Sequence, residues 1–166
     1  MNQQILLEAV MIGTMFLITA GYFIRSKDTV SNKTKNFVTA LLGGFMMMAG
    51  MAKFFLPFAD IFAAQIELSG LPFPALSKFA GQMGEIFAGL LYLLILTEGK
   101  FISSKLAAMI LNLVTMLTVV IMSVAVYVHL SPNVPAEVLP LQSKPPVLTV
   151  LVMFVSLGLW LSKKKV

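Results

Sequence analysis

Cysteine is absent from the 166 residues, histidine and tryptophan occur once each, and charged residues make up only 11%. Without cysteine the chain can form no disulfide, no thiolate metal site and no thiol relay of its own. A single histidine cannot supply two axial ligands to a haem, which removes the commonest membrane cytochrome design. A soluble domain carries about 25% charged residues, so this chain has too little polar surface to cover a globule in water. No phosphate-binding Gly-rich loop, dinucleotide fingerprint or Gly-x-Ser-x-Gly elbow is present. No set of His and carboxylate residues has metal-site spacing either. Neither a metal nor a covalent cofactor is expected, and any redox work would need a carrier from a partner or a bound quinone.

What the sequence has instead is apolar bulk. Hydrophobic residues reach 58% and the mean hydropathy is +0.93. The length suits one domain, residues 1–166, and not comfortably two. Spanning a bilayer takes about 20 apolar residues as helix. Five stretches approach this: residues 5–24, 37–58, 79–97, 106–130 and 147–161, the last one short. The expected fold class is therefore all-α, a transmembrane helical bundle of five spans. The first stretch lacks a basic leader and contains Glu8, so it reads as a retained helix and not a cleaved signal.

Net charge is +5, which in a soluble protein would suggest nucleic acid. Here the basic residues flank apolar runs, so topology explains them and no nucleic-acid partner is expected. Arg25, Lys27, Lys33 and Lys35, then Lys100 and Lys105, then Lys163, Lys164 and Lys165 fall on one side; these are nine of the twelve. The positive-inside bias then places the N-terminus outside and the C-terminus in the cytoplasm. On the outer side, residues 58–71 read as a short amphipathic helix lying in the interface, with Gly70 as its end signal. Pro72 and Pro74 follow, and are expected to hold an extended turn. Residues 131–146 contain five prolines and are expected to be extended and packed over the mouth of the bundle.

The polar residues within the apolar runs are the most informative. A mid-helix Lys or Glu costs about 2.5–3.5 kcal/mol on insertion scales. Lys53 lies four residues before Pro57, roughly 6 Å below the outer end of its helix, and Glu85 lies roughly 9 Å below the outer end of the next, at 1.5 Å per residue. The helices run antiparallel, so both charges fall at similar depth and an ion pair between them is expected. That pair is either a clasp that fixes helix register or a clasp that also lines a ligand site. His129 ends the fourth span on the same side as an interfacial histidine, and Glu8 begins the first there as an exposed helix start. Gly43 and Gly50 share a face of the second span. Gly81, Glu85 and Gly89 share a face of the third, and such small residues let helix backbones approach. Thr115, Thr118, Met122 and His129 form a stripe on the fourth. The twelve methionines suit an adaptable apolar core or a pocket for a flexible lipidic ligand. The candidate ligand-binding set is Lys53, Glu85, His129, Gln82 and Met122.

Three patterns together carry a family resemblance: Gly43-Gly44-Phe45 followed by Gly50-x-x-Lys53-Phe54, then Leu71-Pro72-x-Pro74, then Gly81-x-x-Gly84-Glu85-x-x-x-Gly89-Leu90. Val128-His129 closes the next helix. This order resembles the DoxX-like family of small integral membrane proteins, over about residues 37–162. The resemblance implies a four-helix core with an amphipathic outer connection between its first two helices, to which residues 5–24 add an extra N-terminal helix. It implies a prokaryotic plasma-membrane location and polar positions at Lys53, Glu85 and His129. Some members of that family are subunits of quinone-linked sulfur oxidation, some join oxidative-stress complexes, and distant relatives act as chaperones or cargo receptors. The lack of cysteine departs from any thiol-based role. Two functions follow as expectations. One is an accessory subunit of a membrane redox or stress system that binds a quinone or other amphipathic molecule near the outer leaflet. The other is a non-catalytic chaperone or binder of a membrane or extracytoplasmic protein partner, with a purely structural Lys53–Glu85 pair.

Overall fold

The computed structural model describes residues 3–25 and 29–163. Among these residues it is all-helical, with α1 (Gln3–Arg25), α2 (Val30–Ala52), α3 (Phe58–Ser69), α4 (Pro74–Ile95), α5 (Ser104–Leu130) and α6 (Val147–Lys163). Two single 3-10 turns, Ala136–Val138 and Pro140–Gln142, lie between α5 and α6. Lys27, Lys164 and Lys165, part of the basic clusters used for orientation, lie outside the described residues.

Local chemistry sets the helix ends. The Thr29 side chain accepts from the Asn32 N–H at the start of α2, and the Ser103 side chain accepts from the Leu106 N–H at the start of α5. Such caps satisfy N–H groups that the first helical turn leaves without partners. Gly70 ends α3 in the left-handed region, at φ 72°, where only glycine sits without steric cost. Three boundaries differ from the sequence expectation. The helix expected as the second span stops at Ala52, and Lys53 is its C-cap, not an interior residue. Pro74 does not extend the Leu71–Phe73 turn; it opens α4, because the first helical position needs no N–H donor and suits a fixed φ. And α2 begins at Val30, since its first two turns are held by a cap and carry Asn32, Lys33, Lys35 and Asn36 instead of apolar residues.

Among the described residues, three helices, α1, α4 and α5, are long and apolar enough to cross a membrane. The polar first turns of α2 lower its apolarity, and α6 has 17 residues. Large apolar side chains nonetheless face outward on every long helix, among them Leu17, Ile24, Met51, Phe87, Met116 and Phe154. Water would not tolerate so continuous an apolar surface; acyl chains would. The three long apolar helices and this outward surface are compatible with an integral membrane protein.

Helices α2, α4, α5 and α6 form a closed ring, in which α2 packs on α4, α4 on α5, α5 on α6 and α6 back on α2. Leu42, Met46, Ala88, Tyr92, Val114 and Val152 are buried in its core. Helix α1 packs outside the ring against α2, with Phe16 and Phe23 in edge-on contact with Phe37. Backbones in the ring come close where glycines meet. A Cβ on Gly89 would fall 2.6 Å from the Gly43 carbonyl oxygen, and one on Gly50 would fall 2.8 Å from the Gln82 carbonyl oxygen. Of the small residues expected to form helix-packing faces, Gly43, Gly50 and Gly89 make the α2–α4 contact, whereas Gly81 sits against the Phe62 ring of α3.

A hydroxyl cluster in the middle of the ring ties three helices together. The Tyr92 hydroxyl is hydrogen-bonded to Thr118 Oγ1 at 3.2 Å and to Ser156 Oγ at 2.5 Å, and all three residues are fully buried. Removing the shared hydroxyl leaves two buried groups short of a partner, partly rescued by their own helix carbonyls. Tyr92→Phe is therefore expected to lower stability by about 1 kcal/mol, read as a reduced midpoint of thermal unfolding in mild detergent.

At the opposite end from the α4–α5 turn, the proline-rich segment folds down as a lid. Val134 and Leu139 are fully buried against Val128. Lys144 Nζ donates to the Ser131 carbonyl at 2.5 Å and also to that of Val134. The segment packs over the mouth as expected, but the two 3-10 turns replace part of the extended chain. Leu141 and Gln142 adopt left-handed backbone, at φ 53° and 49°.

Candidate functional site

The site begins at the C-cap of α2. With the helix ended, the Lys53 side chain reaches Glu85 of α4, Nζ to Oε1 2.6 Å. The ion pair expected from the sequence is present. Its Nζ also lies 4.3 Å from the centre of the Phe62 ring on α3, a cation–π contact. Gln82, one turn before Glu85, donates to the Lys53 carbonyl oxygen at 2.8 Å. It thereby satisfies a carbonyl that the helix end leaves open. Lysine and carboxylate are thus held from two directions, by a side-chain pair and by a backbone anchor.

Beneath the pair lies a cavity of about 190 Å³. It is lined by Lys53 and Glu85, by Met122 and His129 of α5, and by residues from every one of the six helices. An apolar cavity of about 150 Å³ already accepts benzene, so this one has room for a six-membered ring. Methionines 11, 46, 48 and 122 contribute to a predominantly apolar wall. The structure therefore gathers Lys53, Glu85, His129 and Met122 around one space. Gln82 does not line it and serves instead as the anchor of the Lys53 backbone.

Two atoms in this wall are short of partners. Among the described residues, Glu85 Oε2 and His129 Nδ1 are buried with no hydrogen-bond partner, as is Thr115 Oγ1 deeper in α5. His129 is 4% exposed and Glu85 7%, so the histidine is a buried wall residue and not the interfacial one expected. Natural interiors rarely leave buried polar atoms in this condition, and each such case calls for an explanation.

Glu8 also departs from its expectation as an exposed helix start. It lines the cavity, accepts the Leu141 N–H at 2.6 Å through Oε2, and accepts Gln4 Nε2 at 3.0 Å through Oε1. Gln4 Nε2 also donates to the Leu139 carbonyl at 3.1 Å. The first turns of α1 are thus bound to the lid. Phe62, Gln4 and the lid backbone were not foreseen as parts of the site. The one signal for Phe62 was the apolar face of the amphipathic segment, and nothing in the sequence marked the lid as the partner of α1.

Comparison of the chain with family models, with curated proteins and with solved structures returns no match.

Proposed function

We propose that this chain is a five-span, DoxX-like membrane protein whose outer-end cavity binds a quinone or other amphipathic small molecule. In this reading it serves as an accessory subunit of a membrane redox or stress-response system and carries no catalysis of its own. The N-terminus lies outside and the C-terminus in the cytoplasm of a prokaryotic plasma membrane, with α2 and α6 as the two further spans. The observation that carries the proposal is the cavity itself. An apolar, methionine-rich space of about 190 Å³ ends in an ion pair and two buried polar atoms without partners. An apolar body with a polar head matches that division of chemistry.

A second reading is favoured by a different observation. Lys53 is already engaged by Glu85, by the Phe62 ring and, through its carbonyl, by Gln82. A group so fully held can be a register clasp in a protein that recognises a partner's membrane segment. Native mass spectrometry of gently solubilised protein separates the two. The ligand reading expects a bound amphiphile of defined mass on the wild type. It expects its loss in Ala125→Phe, which places a ring in the cavity from α5. Bare protein from several detergents, with unchanged spectra for the variant, would leave only the clasp.

A further inference from the structure

The polar end of the cavity has a particular imbalance of donors and acceptors. Glu85 in its ion pair is acceptor-only. One of its oxygens is taken by Lys53 at 2.6 Å, and the other, Oε2, is buried and unpartnered. The second unpartnered atom, His129 Nδ1, sits in the same wall and can accept from a donor when its ring is neutral. The other nearby carboxylate, Glu8, has both oxygens engaged. The wall therefore asks a ligand to donate.

The charge of the neighbours narrows the donor further. An amine or ammonium head would be brought against Lys53 Nζ, and an acidic head would be brought against Glu85. Both are like-charge encounters against a largely apolar wall, where they are costly. A neutral hydroxyl donates without charge. We infer that the cavity selects a neutral amphiphile through a hydroxyl head that donates to Glu85 Oε2, with His129 Nδ1 as the alternative acceptor. The inference rests on the reading of the cavity as a ligand site. Within a quinone couple it favours the hydroquinone form, whose hydroxyl can donate to either acceptor. The oxidised quinone offers only acceptors and would leave Glu85 Oε2 unsatisfied. A glycerol hydroxyl of a lipid offers the same chemistry, without the ring that Phe45, Phe58 and Phe62 in the wall would flank.

The test uses the full chain in lipid nanodiscs under anaerobic conditions, with equilibrium binding measured for four probes. These are decylbenzohydroquinone, its dimethyl ether, decylbenzoquinone and didecanoylglycerol. The hydroquinone is expected to bind about tenfold or more tighter than its dimethyl ether or the quinone, the difference that one missing hydrogen bond to a charged acceptor makes. Didecanoylglycerol binding more tightly than the hydroquinone would keep the hydroxyl assignment and place its source in the lipid. His129→Phe leaves the Lys53–Glu85 pair in place and should narrow the hydroquinone preference. Glu85→Gln replaces an acceptor with an amide and should abolish it. Quinone and dimethyl ether binding within about twofold of the hydroquinone would overturn the inference, since a missing donor would then cost nothing. If no probe binds at all, the cavity is not a ligand site, and the reading beneath the inference fails with it.

Discussion

Gly89→Ala is expected to lower the stability of the helix ring by about 3 kcal/mol, at the upper end of what one inserted methyl does in a filled interior. The reason is which atoms the methyl would meet. Its Cβ would lie 2.6 Å from both the Gly43 carbonyl oxygen and Met47 Cβ, and closer still to the Met47 backbone nitrogen. None of these is the free end of a flexible side chain, so the α2 and α4 backbones must separate. That separation would also pull Lys53 from Glu85, because the pair is carried by the same two helices. Gly158→Ala provides the control. It is exposed on α6 with nothing within 4 Å of the added carbon, and alanine in a helix is better than glycine by up to about 1 kcal/mol. Thermal unfolding midpoints in one detergent should therefore fall steeply for the first variant and stay level or rise for the second. Equal midpoints would mean that the α2–α4 contact is not as close as described.

Glu85→Ala is the second large effect. It leaves Lys53 without its carboxylate in a site where the lysine side chain is 20% exposed. Removing one partner of a buried pair costs about 3–5 kcal/mol, mostly for the charge left behind. Partial exposure and the Phe62 ring hold this case to about 3 kcal/mol. The double change Lys53→Met with Glu85→Leu removes both charges and should recover most of the loss, since apolar replacements of buried pairs are often neutral or better. Unfolding midpoints of the three proteins decide it. If the double variant is as unstable as Glu85→Ala, packing around Glu85 matters more than its charge. Ligand retention in the same samples answers a separate question, because a stable double variant that no longer binds places function, and not only stability, in the pair.

The meeting of Lys53 and Glu85 was legible because two ionisable residues at one depth in adjacent antiparallel helices have few other partners in an apolar bundle. The α2–α4 contact was legible in part for a similar reason: Gly43 and Gly50, seven apart on an apolar helix, leave a groove that Gly89 of α4 meets, while Gly81 faces Phe62. Helix starts were less so. The first turns of α2 are polar and depend on Thr29, so hydropathy alone placed that boundary seven residues late. Lys53 read as an interior residue because the apolar run continues through Phe54, Phe55 and Leu56, although the helix does not. Tyr92 follows Glu85 by seven residues and shares its face, but a hydroxyl inside an apolar run looks like ordinary packing until Thr118 and Ser156 are brought beside it. The packing of α6 back onto α2, which closes the ring and gives the cavity its α6 wall, is a tertiary fact with no local signature.

The left-handed backbone at Leu141 and Gln142 is a shape that side chains with a Cβ avoid, at about 1–3 kcal/mol for each residue held there. Such a shape persists only when its surroundings dictate it, and here the dictating contacts include Glu8 on the Leu141 N–H and Gln4 beside Gln142. Helix α1 therefore acts as a splint for the segment between α5 and α6. Its outward face looks expendable, yet the roof over the mouth takes its form from a carboxylate 133 residues upstream. Gln4 and Glu8 are thus interlocked with residues 139–142, so a change in α1 is carried to the roof of the mouth.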